Sequence, residues 1–522
     1  MIKYGNDDLK LPKIFQNGMV LQHGMPIRIW GEYKPNAILM VTLRNSSKTT
    51  QVDENGEFSF DFPSQEVSNS ETLTFICDSK ILSVFDVKIG EVWLLAGQSN
   101  NDFNLRFDGD FQKDPESVKG EMSEQTDVSF FEVPKKIKLD SVPDQTSKPG
   151  EWHELSGDNA GLFSAIGYYF GIKLSEYLNR CPVGLVWMSY GGTTASSWLS
   201  EQALLDDPVL NKTFVQSYKH LLATRPNGEY EAFLQMVSKQ STRPEVAPFW
   251  DRVMAGKVDH EELEDAFAHH HELFVDYVMG PESENRPHGL FDTMVSTIIG
   301  YRVKAVLWYQ GESDDQHAEV YDHLLTALIN NWRNLWGYKF PFLIMQLAPF
   351  EDWFGSFDGT FYPEMRQKQS IVANTVSDVY ITNVMDDGAR FDIHPKNKKL
   401  AAQRFYYLAL DKVYHEKLNG QAPKVIDETL DWNNQSIVIT FDSSNYLKLD
   451  EAAFLTVTRV KINGVTMALK QVRVAGNQLF IIFEADKLHD ANITVDYQQE
   501  PYSKAGLCNE NNVPVRPFII NL

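Results

Sequence analysis

The feature that most constrains the fold is a series of continuous apolar runs through the middle of the chain. These runs cover residues 92–96, 183–188, 303–309, 342–345 and 379–384. A run of this kind is expected of a strand buried on both faces, as in a parallel sheet covered by helices. Amphipathic segments with apolar residues at three- and four-residue spacing lie between the runs, for example at 164–178 and 320–335. Strands that alternate with helices predict right-handed crossovers and a doubly wound α/β sheet.

Segments of different character flank and interrupt this pattern. Short β-rich runs separated by Gly, Pro or Asn predict a β-sandwich-like domain over residues 1–90. The α/β domain is expected to span residues 91–415, with a polar, helical insertion at about 200–285. Residues 416–522 turn β-rich again and predict a β-rich C-terminal domain.

Charge and cysteine content narrow the possible partners and compartment. The 522 residues carry a net charge of −23, from 71 acids and 48 bases. Because an acidic surface repels phosphate backbones and anionic lipid, we expect no nucleic-acid and no membrane partner. Three dispersed cysteines and the absence of an apolar run in residues 1–8 favour a cytoplasmic protein, although removal of a signal peptide would leave the same sequence.

Groups suited to acyl transfer follow the first two predicted strands. Ser99 comes directly after the run at 92–96, where an α/β sheet opens its ligand crevice. A serine there becomes a nucleophile when a base lies beside it, but it is also a common helix N-cap. Gly191 and Gly192 follow the second strand, where they either give a close backbone N–H to a developing oxyanion or form a tight turn.

Two later strands end in further polar groups. Gln310 and Glu312 follow the third strand: Gln310 offers an amide donor to the oxyanion, and Glu312 either acts as an acid or caps the next helix. His394 follows the strand at 379–384 and is a candidate general base. Each position has a structural alternative, but the joint pattern of serine, glycine pair, amide and histidine predicts a serine esterase.

These segments resemble the SGNH-type hydrolases, and among them the sialate O-acetylesterase-like and acetylxylan-esterase-like carbohydrate esterases. The matching blocks are Gly97-Gln98-Ser99-Asn100, Gly191-Gly192-Thr193 with Trp198, the complete block at 308–313, and Ile393-His394-Pro395. Asn101 stands where the family has Met. The resemblance extends from about residue 10 to about residue 410.

The resemblance implies a role for each residue and a three-layer SGNH-type sheet. Ser99 attacks an ester carbonyl, and His394 takes its proton. Backbone N–H groups at Ser99 and at Gly191 or Gly192 stabilise the oxyanion together with the Gln310 amide. No metal and no cofactor is implied.

The carboxylate behind His394 is left open by the sequence. The wider superfamily places its Asp three residues before the His, which here is Phe391. We expect Asp392 to take this role, with Asp386, Asp387 and Glu312 as alternatives. A backbone carbonyl could also orient the ring and leave a Ser–His dyad.

The substrate-binding surface is expected to include Glu312 and Trp198. Trp198 and Trp353 lie in loops near the predicted strand ends, where an aromatic face can stack on a sugar. The three consecutive histidines at 269–271 are about 100° apart on a helix and cannot all face one ion, so we interpret them as a solvated face.

The sequence therefore predicts a carboxylic ester hydrolase that removes O-acetyl groups from an acetylated sugar, of the sialic acid or xylo-oligosaccharide type. Intact Ser99, Gln310 and His394 argue against the main alternative, a non-catalytic carbohydrate-binding protein on a hydrolase scaffold. The absence of a G-x-S-x-G elbow argues against a lipase or peptidase. The sequence does not specify an oligomeric state.

Overall fold

The computed structural model describes residues 2–3, 9–78, 80–122, 126–136, 150–355, 357–431, 436–483 and 492–522. Most of the N-terminal segment 1–8, which we used to argue against a signal peptide, lies outside these ranges. The described chain is a mixed α/β structure with large sheets, as predicted. It divides into two compact units. The first unit holds Met1–Tyr230, Val278–Trp308 and Ala327–Phe342, and the second holds Glu231–Tyr277, Tyr309–Thr326 and Leu343–Leu522.

The strands of the first unit are β1 (Ile2–Lys3), β2 (Lys10–Leu11), β3 (Val20–Gln22), β4 (Ile27–Glu32), β5 (Ile38–Leu43), β6 (Ser46–Gln51), β7 (Glu57–Phe62), β8 (Ser68–Cys77), β9 (Lys80–Gly97), β10 (Val128–Glu132), β11 (Trp152–Glu154), β12 (Val183–Ser189) and β13 (Ala305–Tyr309), whose last residue belongs to the second unit. An antiparallel sheet has the order β1-β2-β4-β7, and a larger sheet has the order β11-β10-β12-β9-β13. The pairs β10–β12 and β12–β9 are parallel. Parallel pairing of continuous apolar runs matches the predicted buried sheet.

The long strand β9 belongs to both the N-terminal β-rich region and the α/β sheet. Its first part pairs with β8 and β3, and its second part pairs with β12. The change of partner occurs at Gly90, whose carbonyl accepts the His23 N–H at 2.8 Å. A Cβ at Gly90 would lie 1.9 Å from the Pro182 carbonyl oxygen, so only glycine fits. The expected domain boundary at residue 90 therefore falls inside one continuous strand.

The strands of the second unit are β14 (Phe342–Gln346), whose first residue belongs to the first unit, β15 (Asp352–Trp353), β16 (Phe357–Asp358), β17 (Val379–Asn383), β18 (Val425–Asp431), β19 (Ser436–Phe441), β20 (Leu447–Leu449), β21 (Thr458–Ile462), β22 (Val465–Thr466), β23 (Leu469–Ala475), β24 (Gln478–Phe483), β25 (Ile493–Tyr497), β26 (Leu507–Asn509) and β27 (Phe518–Asn521). Strand β14 lies beside β17. The C-terminal strands form antiparallel sheets of order β18-β19-β24-β23 and β22-β21-β25-β27 around one apolar core. Alternating burial along β19, β24 and β25 directs every second side chain into that core.

The helices are α1 (Ser99–Asp102), α2 (Gly109–Lys113), α3 (Pro115–Lys119), α4 (Ala165–Tyr177), α5 (Glu201–Asp206), α6 (Pro208–Leu210), α7 (Ser217–Thr224), α8 (Glu229–Ser241), α9 (Val246–Met254), α10 (His260–His269), α11 (Gly289–Thr293), α12 (Tyr321–Trp336), α13 (Tyr362–Thr375), α14 (Lys398–Lys412) and α15 (Glu451–Val457). Helices α5 to α10 occupy the segment predicted as a helical insertion. Among the described residues, no helix combines the length and the apolar character that a membrane crossing requires.

Candidate active site

Ser99 lies at the carboxyl end of the buried strand β9, as the sequence predicts. Gly97 ends the strand with φ of 139°, a conformation that L side chains rarely adopt. Ser99 then begins α1 and is partly exposed, while Gln98 and Asn100 on either side are buried. The Tyr190 N–H donates to the Gly97 carbonyl at 3.1 Å, which joins the ends of β9 and β12. The strand end therefore presents the Ser99 side chain between two buried neighbours.

Asn101, which replaces the family's Met, holds the turn that carries Ser99. Its side chain is fully buried, and its amide donates to the carbonyls of Ala96 at 2.9 Å and Leu307 at 3.2 Å. Ser164 donates to the Asn101 carbonyl at 2.8 Å. The sequence reasoning noted the substitution but missed this role, since one of the acceptors, Leu307, comes from a distant strand.

The glycine pair after β12 lies beside Ser99. A Cβ built on Gly191 would stand 3.5 Å from the Ser99 Cβ, so the space next to the serine is open because position 191 has no side chain. Gly192 has φ of 71° and is exposed. The structure thus brings together Ser99 and Gly191, two residues that we predicted to share a site.

Asn285 holds the glycine loop in place and was not found from the sequence. Its Nδ2 donates to the Gly192 carbonyl at 2.8 Å, and its Oδ1 accepts the Thr194 N–H at 2.8 Å. One amide therefore satisfies two backbone groups of the loop. Because Asn285 is more than 90 residues away in the chain, no local pattern marks it.

Trp198 does not offer an open face for a sugar. Its side chain has no exposed surface, and its indole N–H donates to Thr193 Oγ1 at 3.1 Å. Its carbonyl accepts the Trp332 indole N–H at 2.9 Å. Trp198 thus contacts Thr193 and Trp332 from a buried position, and its expected part in substrate binding stays a prediction.

Gln310 is the residue after β13. It lies in the second unit and is held by buried polar partners. Its Nε2 donates to Asp314 Oδ2 at 2.6 Å, and its Oε1 accepts the Tyr321 hydroxyl at 2.9 Å. Gln369 donates to the Gln310 carbonyl at 3.1 Å. These bonds fix both the backbone and the plane of the Gln310 amide. Asp314, which is fully buried, was missed because an acidic residue four positions on resembles an ordinary helix residue.

Glu312 is also buried and begins a 3₁₀ helix, Glu312–Val320. Burial, reinforced by the negative charge of Glu312, raises the pKa of the Tyr309 hydroxyl well above its ordinary value. Its expected contribution to substrate binding stays a prediction.

His394 lies in a buried position that keeps its imidazole uncharged. Burial lowers the pKa of His394 well below its ordinary value, and the positive charges of Lys396 and Lys398 lower it further. The ring of Trp353 meets the His394 ring edge-on, with centroids 5.1 Å apart. A neutral imidazole is the form that can accept a proton.

Asp392 lies close to His394, but its hydrogen bond goes to the backbone. Asp392 Oδ1 accepts the His394 N–H at 2.8 Å and lies 3.8 Å from His394 Nδ1. Its other oxygen, Oδ2, lies 2.9 Å from Lys396 Nζ. The carboxylate therefore lies beside the imidazole without a direct hydrogen bond to the ring.

The two alternative aspartates have other partners. Asp386 Oδ2 accepts from Arg404 at 2.8 Å, where it balances a guanidinium that is almost entirely buried. Burial raises the pKa of Asp387, whose side chain lies 3.4 Å from the Asn397 amide. Both carboxylates lie in the second unit, as do Gln310, Glu312, Asp392 and His394, whereas Ser99, Gly191, Gly192 and Trp198 lie in the first unit.

Comparison with known proteins shows what the chain is similar to. Residues 284–396, which contain Gln310, Glu312, Asp392 and His394, match a family model described as carbohydrate esterase, sialic acid-specific acetylesterase. The chain is also 26% identical over 466 residues to the sialate O-acetylesterase of Mus musculus, which covers 81% of this chain and 77% of the mouse protein. The Homo sapiens sialate O-acetylesterase is 25% identical over 457 residues, covering 79% and 73%. The chain is a carboxylic ester hydrolase that is similar to the sialate O-acetylesterases.

The fold of this esterase has a solved counterpart. A carbohydrate acetylesterase from Xanthomonas citri is similar over 98% of this chain and 99% of its own, with a TM-score of 0.71 and 24% identity. Because the similarity extends over both chains, the flanking β-rich regions belong to the shared architecture. The activity as a carboxylic ester hydrolase follows from the sialate O-acetylesterase relatives and the matched esterase family, and it agrees with the prediction from the sequence.

Proposed function

We propose that this esterase removes O-acetyl groups from acetylated sugars through an acetyl-enzyme intermediate on Ser99. The names of the mouse and human relatives make O-acetylated sialic acid the first substrate class to test. Acetylated xylo-oligosaccharide is the second. The acetyl group is small, which suits the glycine-lined space next to Ser99.

In the proposed reaction Ser99 Oγ attacks the ester carbonyl while His394 takes the hydroxyl proton. Backbone N–H groups at Ser99 and at Gly191 or Gly192, with the Gln310 amide, stabilise the tetrahedral oxyanion. The sugar alcohol then leaves with the proton from His394, and the acetyl group stays on Ser99 as an ester. Water attacks this ester, giving its proton to His394, and acetate is released as Ser99 regains its proton.

The observation that carries this proposal is the position of Ser99 at the end of β9, beside a residue without a side chain. A serine that merely capped a helix would donate or accept within the turn, yet Gln98 and not Ser99 occupies the cap position of α1. The 3.5 Å separation between the Ser99 Cβ and a Cβ built on Gly191 leaves the backbone of the glycine loop next to the nucleophile. An oxyanion hole needs backbone N–H groups close to the nucleophile.

The lowered pKa of His394 keeps its imidazole uncharged at neutral pH, and the uncharged ring is the form that a general base needs. We propose Asp392 as the acid that stabilises the imidazolium, acting through charge at 3.8 Å.

We also propose that the sheet has the three-layer SGNH arrangement, with domains at 1–90, 91–415 and 416–522. The parallel pairs β10–β12 and β12–β9 support this arrangement.

The test is an acetate-release screen over O-acetylated sialic acids and acetylated xylo-oligosaccharides. We expect release from at least one class and a loss of about 10³-fold or more in Ser99→Ala. Ser296→Ala is the matched control, because Ser296 is an exposed serine of the same unit that donates only to a local carbonyl. Sugar binding without any acetate release would favour a non-catalytic carbohydrate-binding protein instead.

A further inference from the structure

Helix α10 of the insertion presents a histidine and a carboxylate on one face. Its N-terminus is capped by Asp259, whose side chain accepts the Glu262 N–H at 2.8 Å. His260 and Glu264 are four residues apart, a spacing that places both side chains on one face of the helix. His260 Nε2 lies 3.4 Å from Glu264 Oε1.

The imidazole of His260 is held in a fixed orientation. Its ring stacks on the ring of Phe391, with centroids 4.2 Å apart and an interplanar angle of 12°. Nδ1 is enclosed and has no hydrogen-bond partner among the residues that the structure describes. The ring therefore directs Nε2 toward Glu264, while Nδ1 faces the interior.

A third ligand comes from a distant part of the sequence. Asp352, at the start of β15, donates its backbone N–H to the Arg390 carbonyl at 3.1 Å, and its Oδ2 accepts the Gly355 N–H at 2.9 Å. One ligand atom each from His260, Glu264 and Asp352 lies within 4.8 Å of the others. Two carboxylates and a nitrogen lone pair at this separation repel one another unless a cation or a proton lies among them.

We propose that His260, Glu264 and Asp352 bind a first-row divalent cation, for which Zn²⁺ is the probe. Tetrahedral zinc with ligand bonds of about 2.0–2.1 Å separates its ligand atoms by about 3.4 Å. The His260–Glu264 distance already equals that edge, and a ligand atom of Asp352 lies within 4.8 Å of both. The imidazole favours zinc over Mg²⁺ or Ca²⁺, which prefer oxygen ligands alone.

The bound cation would join the insertion to the segment next to His394. Val253 and Leu263 of α9 and α10 already pack against Phe354 and Trp353, the residues that follow Asp352. Trp353 in turn contacts the His394 ring. Because Nδ1 of His260 lacks the acceptor that usually supports a metal-bound histidine, we expect weaker binding than at a structural zinc site.

The test is a calorimetric titration of Zn²⁺ into the full chain after treatment with a chelator. We expect one Zn²⁺ per chain, and binding weakened by about tenfold or more in His260→Ala and in Asp352→Asn, since direct ligands matter at least as much as their supporting partners. His269→Ala is the control, because His269 lies on the same helix 3.1 Å from Asp265 but has no third ligand in the described structure. We expect this variant to bind as the wild type does.

Two results would overturn the proposal. One is the absence of stoichiometric Zn²⁺ binding to the wild type. The other is a loss of Zn²⁺ binding in His269→Ala together with unchanged binding in His260→Ala and Asp352→Asn. Glu264→Gln and Asp352→Asn replace carboxylates by amides of nearly the same shape, so the test does not depend on His260→Ala folding. Zn²⁺ binding is measured without substrate, and its outcome is therefore independent of the proposed esterase reaction.

Discussion

The charge state of His394 depends on its surroundings more than on its ordinary chemistry. Burial is the main cause of its low pKa, and Lys396 and Lys398 add positive charge nearby. A base with a lowered pKa loses its proton-accepting form only when the pH falls below that pKa. Turnover should therefore be flat through neutral pH, with an acid limb below pH 6.5 in kcat/KM.

Replacing Lys396 should move this acid limb. Lys396→Met removes a positive charge and frees the carboxylate of Asp392, both of which favour the imidazolium and raise the pKa of His394. We expect the acid limb of kcat/KM to shift to higher pH in a pH–rate profile. Lys417→Met, which removes an exposed lysine, should leave the profile unchanged. A shift to lower pH, or none, would contradict the electrostatic account of His394.

Replacement of Asp392 should lower activity, whereas replacement of Asp386 should lower stability. Asp392→Asn removes the charge beside the imidazolium and should lower kcat by about 10- to 100-fold, less than for an acid directly bonded to the ring. Asp386→Asn weakens the partner of the buried Arg404 and should lower the free energy of unfolding by about 1–3 kcal/mol in urea denaturation. Near wild-type turnover in Asp392→Asn with loss of activity in folded Asp386→Asn would reverse the assignment.

At the scale of elements, the loop after β12 depends on one distant amide. Asn285 makes two backbone hydrogen bonds to the loop at Gly192 and Thr194. Asn285→Ala should leave these groups unsatisfied and loosen the donors next to Ser99, with a fall in kcat of about 10- to 100-fold. Steady-state kinetics on an activated acetate ester would measure the fall.

Asn331 provides a matched control for this prediction. Its Oδ1 accepts the Ser200 N–H at 3.1 Å, and its Nδ2 donates to the Ser200 hydroxyl at 2.9 Å. Ser200 belongs to the same unit and follows the glycine loop in the chain. Asn331→Ala should lower the free energy of unfolding about as much as Asn285→Ala does, and should leave kcat within about twofold of the wild type. Equal losses of kcat in both variants would show that Asn285 acts only through general stability.

The strands were predictable where their burial shows as a continuous apolar run in the sequence. Continuous apolar runs predicted the buried strands to within about two residues, for example β12 (Val183–Ser189) and β17 (Val379–Asn383). The first half of β9 was not joined to the second, because its outer residues are partly exposed and its partner changes at Gly90. The burial pattern changes along this one strand, and the change was interpreted as a domain boundary.

The candidate site was predictable only in part for a similar reason. Ser99, Gly191, Gln310 and His394 each follow a strand, and that local rule was enough to select them. Asn285 supports the glycine loop from a distant part of the chain, and Asp314 supports Gln310 from inside a helical turn. The sequence around Trp198 does not show whether its side chain is buried or exposed. Positioning residues depend on tertiary contacts, which one sequence does not record.

At the scale of the whole molecule, the net charge of −23 should affect which sugar approaches easily. A sialic acid carries a carboxylate and is repelled by an acidic surface, whereas a neutral xylo-oligosaccharide is not. Raising the salt concentration screens this repulsion, so kcat/KM for the anionic substrate should rise by a factor of about two to three. The neutral substrate should change little, and a fall in kcat/KM for the anionic substrate would contradict the prediction.

The most direct test of the central claim is to trap the acetyl-enzyme. The full chain is mixed with an activated acetate ester, quenched in acid within the first turnover, digested and analysed by mass spectrometry. The account predicts one acetyl group on the peptide that contains Ser99, and none in Ser99→Ala treated in the same way. Acetate release that continues without any acetylated Ser99, or with the acetyl group on another residue, would contradict it.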